Sequence, residues 1–271
     1  MDLSSSIKLN NGEKIPALGL GVYQSKPGSE TQQAVKRAFE MGYRHVDTAA
    51  YYRNEEDVGK AIKESGIPRE EIFVTTKLRN EDHLIAEKAF NESLKKLGMD
   101  FVDLYLIHWP QTGTRVKAWK ALEKIYSEGK AKSIGVSNFT IPHLEELLEI
   151  ADVVPAVNQV EFSPYLYQKE LLDYCKKKGI ALEAYSPLTR GKKLNDPRLL
   201  EIASNYSKTP AQILIRWGLE QELIVIPKSV HKERIQENAE VFDFALSKKD
   251  KKLLDSMNQN FHSTWDPTNL P

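Results

Sequence analysis

The chain has 271 residues, of which 41% are hydrophobic and 28% are charged, a composition typical of a globular protein with a sizeable core. Lys plus Arg equals Asp plus Glu at 38 each, so the basic excess of a nucleic-acid-binding protein is missing. A lone cysteine, Cys175, rules out an internal disulfide and suits a reducing compartment. Neither a signal-peptide pattern nor an apolar stretch of membrane-spanning length is visible. We therefore expect a soluble, cytoplasmic protein.

Short apolar runs alternate with amphipathic segments along the chain. Residues 7–16 come first and predict a β-hairpin through Asn11-Gly12 that plugs the bottom of the fold. The predicted strands are 18–22, 44–47, 72–77, 102–108, 132–137, 156–161, 181–186 and 223–228. The predicted helices are 29–41, 54–65, 82–97, 114–128, 140–150, 168–178, 197–220 with an interruption, and 231–240. One more helix is expected within 247–259, followed by an irregular tail.

Eight strand–helix units in about 250 residues match the (β/α)8 barrel in number and length. No linker or composition change divides the chain, so residues 1–271 are expected to form one domain. The predicted fold class is therefore α/β: a (β/α)8 TIM barrel with an N-terminal β-hairpin and an extra C-terminal helix and tail. The alternative is a doubly wound sheet. It is disfavoured because Gln24 stands where a dinucleotide-binding fingerprint beginning at Gly19 and Gly21 needs its third glycine.

Polar side chains stand at seven of the eight predicted strand ends. A single polar residue after a strand is usually a cap, whereas polar residues at seven strand ends together indicate a site. The carboxyl ends of the strands of such a barrel meet at one mouth, and the chemistry lies there. The sequence therefore predicts one site that contains Asp47, Lys77, His108, Ser137, Asn138, Gln159, Tyr185, Ser186 and Lys228.

Tyr52 lies in the loop just after Asp47, and its residue type suggests proton transfer. A tyrosine hydroxyl has a reference pKa of about 10, and we expect the ammonium of Lys77 to lower it. A shift to about 7 would require roughly 4 kcal/mol. Asp47 would orient Lys77, while His108 would donate a hydrogen bond to a carbonyl oxygen. Such a set polarises and protonates a carbonyl group, but a cofactor has to supply the hydride.

Several segments resemble the aldo-keto reductases. Residues 42–59, 102–110 and 226–244 are similar to the three signature segments of that family. Residues 135–139, 158–165 and 184–188 are similar to its cofactor-contacting segments. The resemblance runs from about residue 7 to the tail in the family's order. It is strongest to compact bacterial and protozoan members, such as glyoxal or methylglyoxal reductases, prostaglandin F synthase-like enzymes and 2,5-diketo-gluconate reductase-like enzymes.

The resemblance implies an NADPH-dependent reductase of aldehydes and ketones. Its substrates would be small aldehydes, dicarbonyls such as methylglyoxal, keto-sugars or prostaglandin-like ketones. Tyr52 would be the general acid, supported by Asp47, Lys77 and His108. NADPH or NADP+ would contact Gly21, Val22, Ser137, Asn138, Gln159, Tyr185, Ser186, Leu188, Lys228, Ser229, Val230, Arg234, Glu237 and Asn238. Within this set Lys228, Ser229 and Arg234 would bind the 2′-phosphate, which favours NADPH over NADH.

The expected substrate-binding residues are Tyr23, Tyr52, His108, Trp109 and Arg79. Arg79 stands where many relatives have Trp, so it either adds positive charge beside the pocket or points to solvent. The short loop after His108 predicts an open, shallow site. For Trp265 and Phe261 core packing is slightly favoured over a place in the pocket wall.

Two other functions remain open from the sequence. Lys77 at a barrel strand end is compatible with a class I aldolase that forms a Schiff base. An NADPH-binding sensor or regulatory subunit would use the same cofactor residues without turnover. For the reductase and for both alternatives we expect a monomer with a small-molecule ligand, without metal, nucleic-acid or membrane binding. The remaining histidines show no metal-ligand spacing.

Overall fold

The computed structural model describes residues 1–268 and Leu270, and most of its strands form one parallel barrel. β1 (Ser6–Lys8) and β2 (Lys14–Pro16) form a separate antiparallel hairpin. The barrel strands are β3 (Leu20–Gly21), β4 (His45–Asp47), β5 (Phe73–Leu78), β6 (Val102–Ile107), β7 (Ala131–Ser137), β8 (Val157–Glu161), β9 (Ala181–Tyr185) and β10 (Ile224–Ile226). They pair in chain order. Parallel bridges from Leu18 to Val225 and from Gly21 to Lys228 join β3 to β10. The (β/α)8 barrel prediction is confirmed.

Helices cover the outside of the barrel. They are α1 (Ser29–Glu40), α2 (Glu55–Ser65), α3 (Ala86–Leu97), α4 (Arg115–Ser127), α5 (Ile141–Ile150), α6 (Lys169–Lys178), α7 (Pro197–Asn205), α8 (Pro210–Glu220), α9 (Lys232–Ala239) and α10 (Lys248–Asp255). The interruption expected within 197–220 is the break between α7 and α8. There the Thr209 side chain accepts from the Gln212 N–H and Pro210 begins the new helix, which are standard starting signals. None of the described helices is long and apolar enough to cross a bilayer.

The helix predicted over 82–97 begins later than expected. α3 starts at Ala86, and Asn80–Ile85 before it form a 3-10 segment. His83 in this segment is buried, and its Nδ1 lies 3.0 Å from the Thr114 hydroxyl, just before α4. This contact between separate parts of the chain, which helical periodicity does not reveal, accompanies the local change of helix type.

The β1–β2 hairpin closes the amino-terminal end of the barrel, as predicted. Leu9 and Ile15 are buried in one apolar cluster with Phe73, at the start of β5. The Asn10 side-chain amide donates to the carbonyl of Pro155 at 3.0 Å. An apolar plug with hydrogen-bonded edges therefore seals this end, and polar side chains collect at the opposite end.

Gly59 sets the distance between α2 and α3. A Cβ atom at this position would lie 2.0 Å from the Leu97 carbonyl oxygen, far closer than van der Waals contact. Because the obstacle is backbone rather than a flexible side chain, the two helices have to move apart to admit any larger residue.

We expect Gly59→Ala to lower the free energy of unfolding by about 1–3 kcal/mol, the usual cost of overpacking. In an unhindered helix the same change would raise stability by up to about 1 kcal/mol. The sign of the change in unfolding free energy therefore shows whether the close contact with Leu97 is present. Urea unfolding followed by circular dichroism measures it. Lys60→Ala, at an exposed neighbouring position, is the control. An unchanged or higher stability of Gly59→Ala would contradict the packing described here.

Candidate active site

The loop that carries Tyr52 is held by a buried asparagine. After β4, Ala50–Tyr52 form one 3-10 turn and Arg53 adopts a left-handed conformation with φ of 59°. Asn54 follows and is fully buried. Its side-chain amide donates to the Val22 carbonyl at 3.0 Å, and its oxygen accepts from the Thr48 hydroxyl at 2.8 Å. Asn54 therefore ties the loop to the end of β3.

The sequence analysis did not identify Asn54 or Thr48. An asparagine directly before a helix is ordinarily interpreted as its cap, yet the Asn54 side chain makes no capping bond to α2. Its actual partners lie across the strand ends, where local sequence gives no signal.

Lys77 lies beneath the site with no exposed surface. Its ammonium is 2.7 Å from both carboxylate oxygens of Asp47, 2.9 Å from the Thr48 carbonyl oxygen and 3.5 Å from the Tyr52 hydroxyl. Burial raises the pKa of Asp47, whereas the Lys77 charge acts in the opposite direction. Because the ammonium contacts both oxygens, we describe the pair as ionic. Lys77 is thus buried and fully hydrogen-bonded, which disfavours the Schiff-base alternative.

Tyr52 is kept protonated. Burial raises its pKa well above the ordinary value, and the negative charge of Asp47 adds to that effect. The expectation that the pKa of Tyr52 would be lowered is wrong, because burial raises it and the Asp47 charge offsets that of the Lys77 ammonium. A neutral phenol beside an ion pair is a proton donor at neutral pH.

His108 faces Tyr52 across the site. Their ring centroids are 5.6 Å apart at an interplanar angle of 73°. Burial lowers the pKa of His108 well below its ordinary value, and the Lys77 charge acts in the same direction. His108 is therefore a neutral imidazole with one N–H, suited to donating to a carbonyl oxygen.

The ends of β7, β8 and β9 form a connected amide network. The Asn138 amide donates to the His108 carbonyl oxygen at 2.9 Å, and the Tyr185 hydroxyl donates to the Asn138 oxygen at 2.8 Å. The Gln159 amide donates to Asp47 at 2.7 Å and to Glu183 at 2.8 Å. Both amide hydrogens of Gln159 are thereby used, which leaves its oxygen as an acceptor.

Two residues of this network region lie in the left-handed region of backbone space. Asn138, directly after the last residue of β7, has φ of 64°, and Ser186, directly after β9, has φ of 48°. Such non-glycine positions cost about 1–3 kcal/mol each and cluster at functional sites. The chain is therefore held in a strained path where the strands end.

One cavity of about 720 Å³ opens at this end of the barrel. It extends from Tyr52 and His108 to the first turn of α9. Most of the residues that the sequence analysis assigned to a site line it: Gly21, Tyr23, Asp47, Tyr52, His108, Trp109, Ser137, Asn138, Gln159, Tyr185, Ser186, Leu188, Lys228, Ser229, Val230, Arg234, Glu237 and Asn238.

Three assigned residues do not line the cavity. The side chain of Val22 is buried in the main core, and Lys77 lies below the cavity floor. Arg79 pairs with Glu81 at 3.4 Å and with Asp82 at 3.8 Å. The Arg79 side chain therefore lies outside the pocket and does not add positive charge to its wall.

The end of the cavity near α9 is positively charged. Lys228 and Arg234 both line it, together with the Ser229 hydroxyl. Among the described residues, the ion pairs of the protein include neither of these two cations. Burial lowers the pKa of Lys228. Unpaired cations and a hydroxyl next to a helix start suit a phosphate group.

Aromatic rings line the opposite end of the cavity, beside Tyr52. Tyr23 lies 4.9 Å from Tyr52, and Trp109 lies 4.8 Å from Trp265, between ring centroids. Trp265 lines the cavity and is 58% exposed, so the preference for core packing is wrong for this residue. Phe261 does pack against the main core.

The C-terminal tail is fastened to the barrel by Glu161. The backbone N–H groups of Ser263 and Thr264 donate to its carboxylate at 2.8 and 3.1 Å. Their hydroxyl groups donate to it as well. The Thr264 hydroxyl also lies 3.3 Å from the Tyr185 hydroxyl. The tail that carries Trp265 is therefore connected to the amide network.

We expect Glu161→Ala to release the tail. Hydrogen–deuterium exchange of a peptide spanning residues 261–268 should become at least roughly tenfold faster, because hydrogen bonds to a charged group contribute about 1.5–3 kcal/mol. Asp266→Ala removes a carboxylate whose contacts with the described residues are to Thr268 and His262 in the tail itself, and should leave the Ser263 and Thr264 amides protected. Unchanged exchange in Glu161→Ala would show that other contacts hold the tail.

Comparison with known proteins gives consistent results. Residues 17–259 match the model of the Aldo/keto reductase family. The chain is 50% identical over 270 residues to glyoxal reductase of Bacillus subtilis, covering 99% of this chain and 98% of that protein. It is 48% identical to methylglyoxal reductase DkgA of Yersinia pestis, covering 92% and 91%. The crystal structure of a Bombyx mori aldo-keto reductase in complex with NADP is 38% identical, with a TM-score of 0.91, covering 97% of this chain and 96% of that one.

Proposed function

Because the chain belongs to the aldo/keto reductase family, we propose that Tyr52, Lys77, Asp47 and His108 carry out its reaction on small aldehydes and dicarbonyls. The enzyme is an NADP-dependent oxidoreductase that reduces carbonyl groups to alcohols. The observation that carries the residue assignment is the position of the Tyr52 hydroxyl, 3.5 Å from the buried Lys77 ammonium and beside His108 at the cavity floor.

The donors and acceptors along the cavity fit NADPH. Lys228, Ser229 and Arg234 would hold the 2′-phosphate. Ser137, Asn138 and Gln159 would hold the nicotinamide carboxamide, since they offer hydroxyl and amide groups at adjacent strand ends. The Tyr185 ring would lie against the nicotinamide. Glu237 and Asn238 would lie near the adenine. When bound, NADPH supplies the hydride.

Tyr52 and His108 would perform the proton chemistry. The carbonyl oxygen of the substrate would accept a hydrogen bond from the neutral His108 imidazole and another from the Tyr52 phenol. As negative charge develops on that oxygen, Tyr52 would donate its proton. The Lys77 ammonium would stabilise the resulting phenolate, and Asp47 would keep Lys77 in place.

The catalytic end of the cavity favours small, uncharged substrates. Tyr23, Trp109 and Trp265 supply its apolar surface, while the Arg79 guanidinium is paired outside it. An anionic sugar acid therefore has no Arg79 charge to bind there. The names of the glyoxal and methylglyoxal reductases among the relatives agree with this substrate class.

We also propose that the protein is one domain that acts as a cytoplasmic monomer. The single cysteine, Cys175, is buried and unpaired, which suits a reducing compartment. Light scattering coupled to size exclusion would give the mass in solution, and a mass well above the 30.9 kDa of one chain would contradict the monomer.

We expect Tyr52→Phe to lower kcat for methylglyoxal by roughly 10²–10⁴-fold, the usual contribution of a general acid, while NADPH binding persists. Loss of NADPH absorbance measures the rate, and fluorescence measures binding. Tyr51→Phe is the matched control, because Tyr51 also lines the cavity but is 57% exposed, and the Lys77 ammonium contacts the hydroxyl of Tyr52 instead. Retained activity in Tyr52→Phe would refute the assignment. Tight NADPH binding by wild type with no reduction of any carbonyl would instead favour the sensor.

We expect Arg234→Ala to weaken NADPH binding by about 10–100-fold, since hydrogen bonds to a charged group contribute roughly 1.5–3 kcal/mol. NADH lacks the 2′-phosphate, so its affinity should stay unchanged. Lys232→Ala, in the same turn of α9 but not lining the cavity, is the control. Equal losses for both cofactors would mean that Arg234 does not bind the phosphate.

A further inference from the structure

Two buried titratable side chains lie under the site and have no part in the chemistry above. His45 on β4 and Glu183 on β9 each have no exposed surface. The nearest atoms of the two titratable groups, His45 Nε2 and Glu183 Oε1, are 3.7 Å apart. His45 Nε2 also lies 3.1 Å from the Thr75 hydroxyl. The other carboxyl oxygen of Glu183 accepts from the Gln159 amide at 2.8 Å.

Glu183 shares the Gln159 amide with Asp47. The Gln159 nitrogen donates to Asp47 at 2.7 Å and to Glu183 at 2.8 Å. The orientation of this amide is determined by Asp47, because an amide oxygen at that point would be repelled by the ionised Asp47 carboxylate. Gln159 therefore has to direct its own oxygen away from Glu183 and Asp47.

Burial and the available counter-charges determine the state of Glu183. The cluster contains one ammonium, Lys77, and both oxygens of Asp47 already contact it. A second carboxylate would be a buried charge whose nearest potential counter-ion, His45 Nε2, is 3.7 Å away and makes no hydrogen bond to it, which is strongly unfavourable. Burial and the Asp47 charge raise the pKa of Glu183 to about 8. Burial and the Lys77 charge lower the pKa of His45 to about 3. Both groups are therefore neutral at neutral pH.

We propose that Glu183 is a positioning residue whose neutral carboxyl group, with Asp47, holds the Gln159 amide so that the Gln159 oxygen is presented to the carboxamide of the cofactor. This inference rests on the proposed function, since it concerns the same site. Because protonated Glu183 carries no charge, Asp47 remains the ion-pair partner of Lys77. Lys77 in turn stays beside Tyr52 as a cation.

Ionisation of Glu183 would disturb this arrangement. The charged or titratable groups that face it are His45 and Asp47 from β4, Lys77 from β5, and Tyr52 above them. On β10 its register partner is the apolar Ile224. A negative Glu183 would compete with Asp47 for Lys77, and its charge raises the pKa of Tyr52 further. Proton donation by Tyr52 should therefore weaken as pH rises through about 8.

The first test uses the protein without cofactor. Between the ordinary glutamate pKa of 4.5 and the folded value of about 8, the folded chain binds one more proton at Glu183 than the unfolded chain does. This contribution makes wild type less stable as pH rises. Glu183→Gln lacks it, so the Tm difference, variant minus wild type, should grow from about pH 5 to pH 8 and then level off. A difference independent of pH would overturn the neutral carboxyl.

The second test separates positioning from a structural role. Glu183→Gln still offers an oxygen to Gln159 and should bind NADPH within about twofold of wild type, whereas Glu183→Met offers none and should bind roughly tenfold more weakly. Glu55→Met is the matched control. Glu55 is a buried carboxyl that accepts from Thr76 at 2.6 Å, and it does not line the cavity. It should lose stability but keep the NADPH affinity. Equal NADPH affinity in Glu183→Met and wild type would refute positioning.

The pH profile gives a third readout. Wild-type kcat for methylglyoxal should fall above about pH 8, and Glu183→Gln should keep its rate to higher pH. The same decrease of kcat above about pH 8 in both proteins would contradict the role of Glu183 ionisation. Because NADPH affinity is measured without turnover, an inactive wild type that binds NADPH would refute the proposed reaction while the Glu183 comparison still stands.

Discussion

The ion pair between Lys77 and Asp47 is the interaction on which the rest of the site depends. A fully buried ammonium is tolerated only with a close counter-charge and further acceptors, and Asp47 and the Thr48 carbonyl provide them. Tyr52, whose hydroxyl is 3.5 Å from the Lys77 ammonium, lines the cavity above this pair. The Tyr52 hydroxyl, a proton donor, therefore lies beside the Lys77 ammonium, whose charge is balanced by Asp47 before the reaction begins. Burial and the negative charge of Asp47 raise the pKa of Tyr52, so it remains a phenol until charge develops nearby.

Balance of charge also explains the layer beneath this pair. In the described part of the chain Lys77 contacts Asp47 and not Glu183, so the Glu183 proton that we propose would leave this layer without net charge. Gln159 donates to both Asp47 and Glu183 and also lines the cavity, so the charge state of these carboxyl groups affects the cavity wall. At the opposite end of the barrel the hairpin residues Leu9 and Ile15 are buried in an apolar cluster, with polar contacts such as that of Asn10 at its edge. The separation of an apolar end from a polar end directs the chemistry to one mouth.

The tail shows how distant parts of the chain meet at this mouth. Glu161 at the end of β8 holds Ser263 and Thr264, and the Thr264 hydroxyl reaches Tyr185. Tyr185 in turn bonds Asn138. The same segment brings Trp265 against Trp109. The substrate wall and the expected nicotinamide platform are therefore connected by hydrogen bonds rather than being independent surfaces.

The sequence by itself determined the barrel and most of the residues that line its cavity. Period-two and period-3.6 patterns are local, and the fold brings the strand ends together, so Asp47, His108 and Gln159 could be named in advance. Tertiary structure alone decided the protonation of Tyr52, because burial and Asp47 outweigh Lys77. It also decided the ion pairs of Arg79 and the partners of Asn54, Glu161 and Glu183. Each of these depends on which groups from distant segments lie within a few ångströms in a poorly solvated interior. Spacing along the chain does not contain that information.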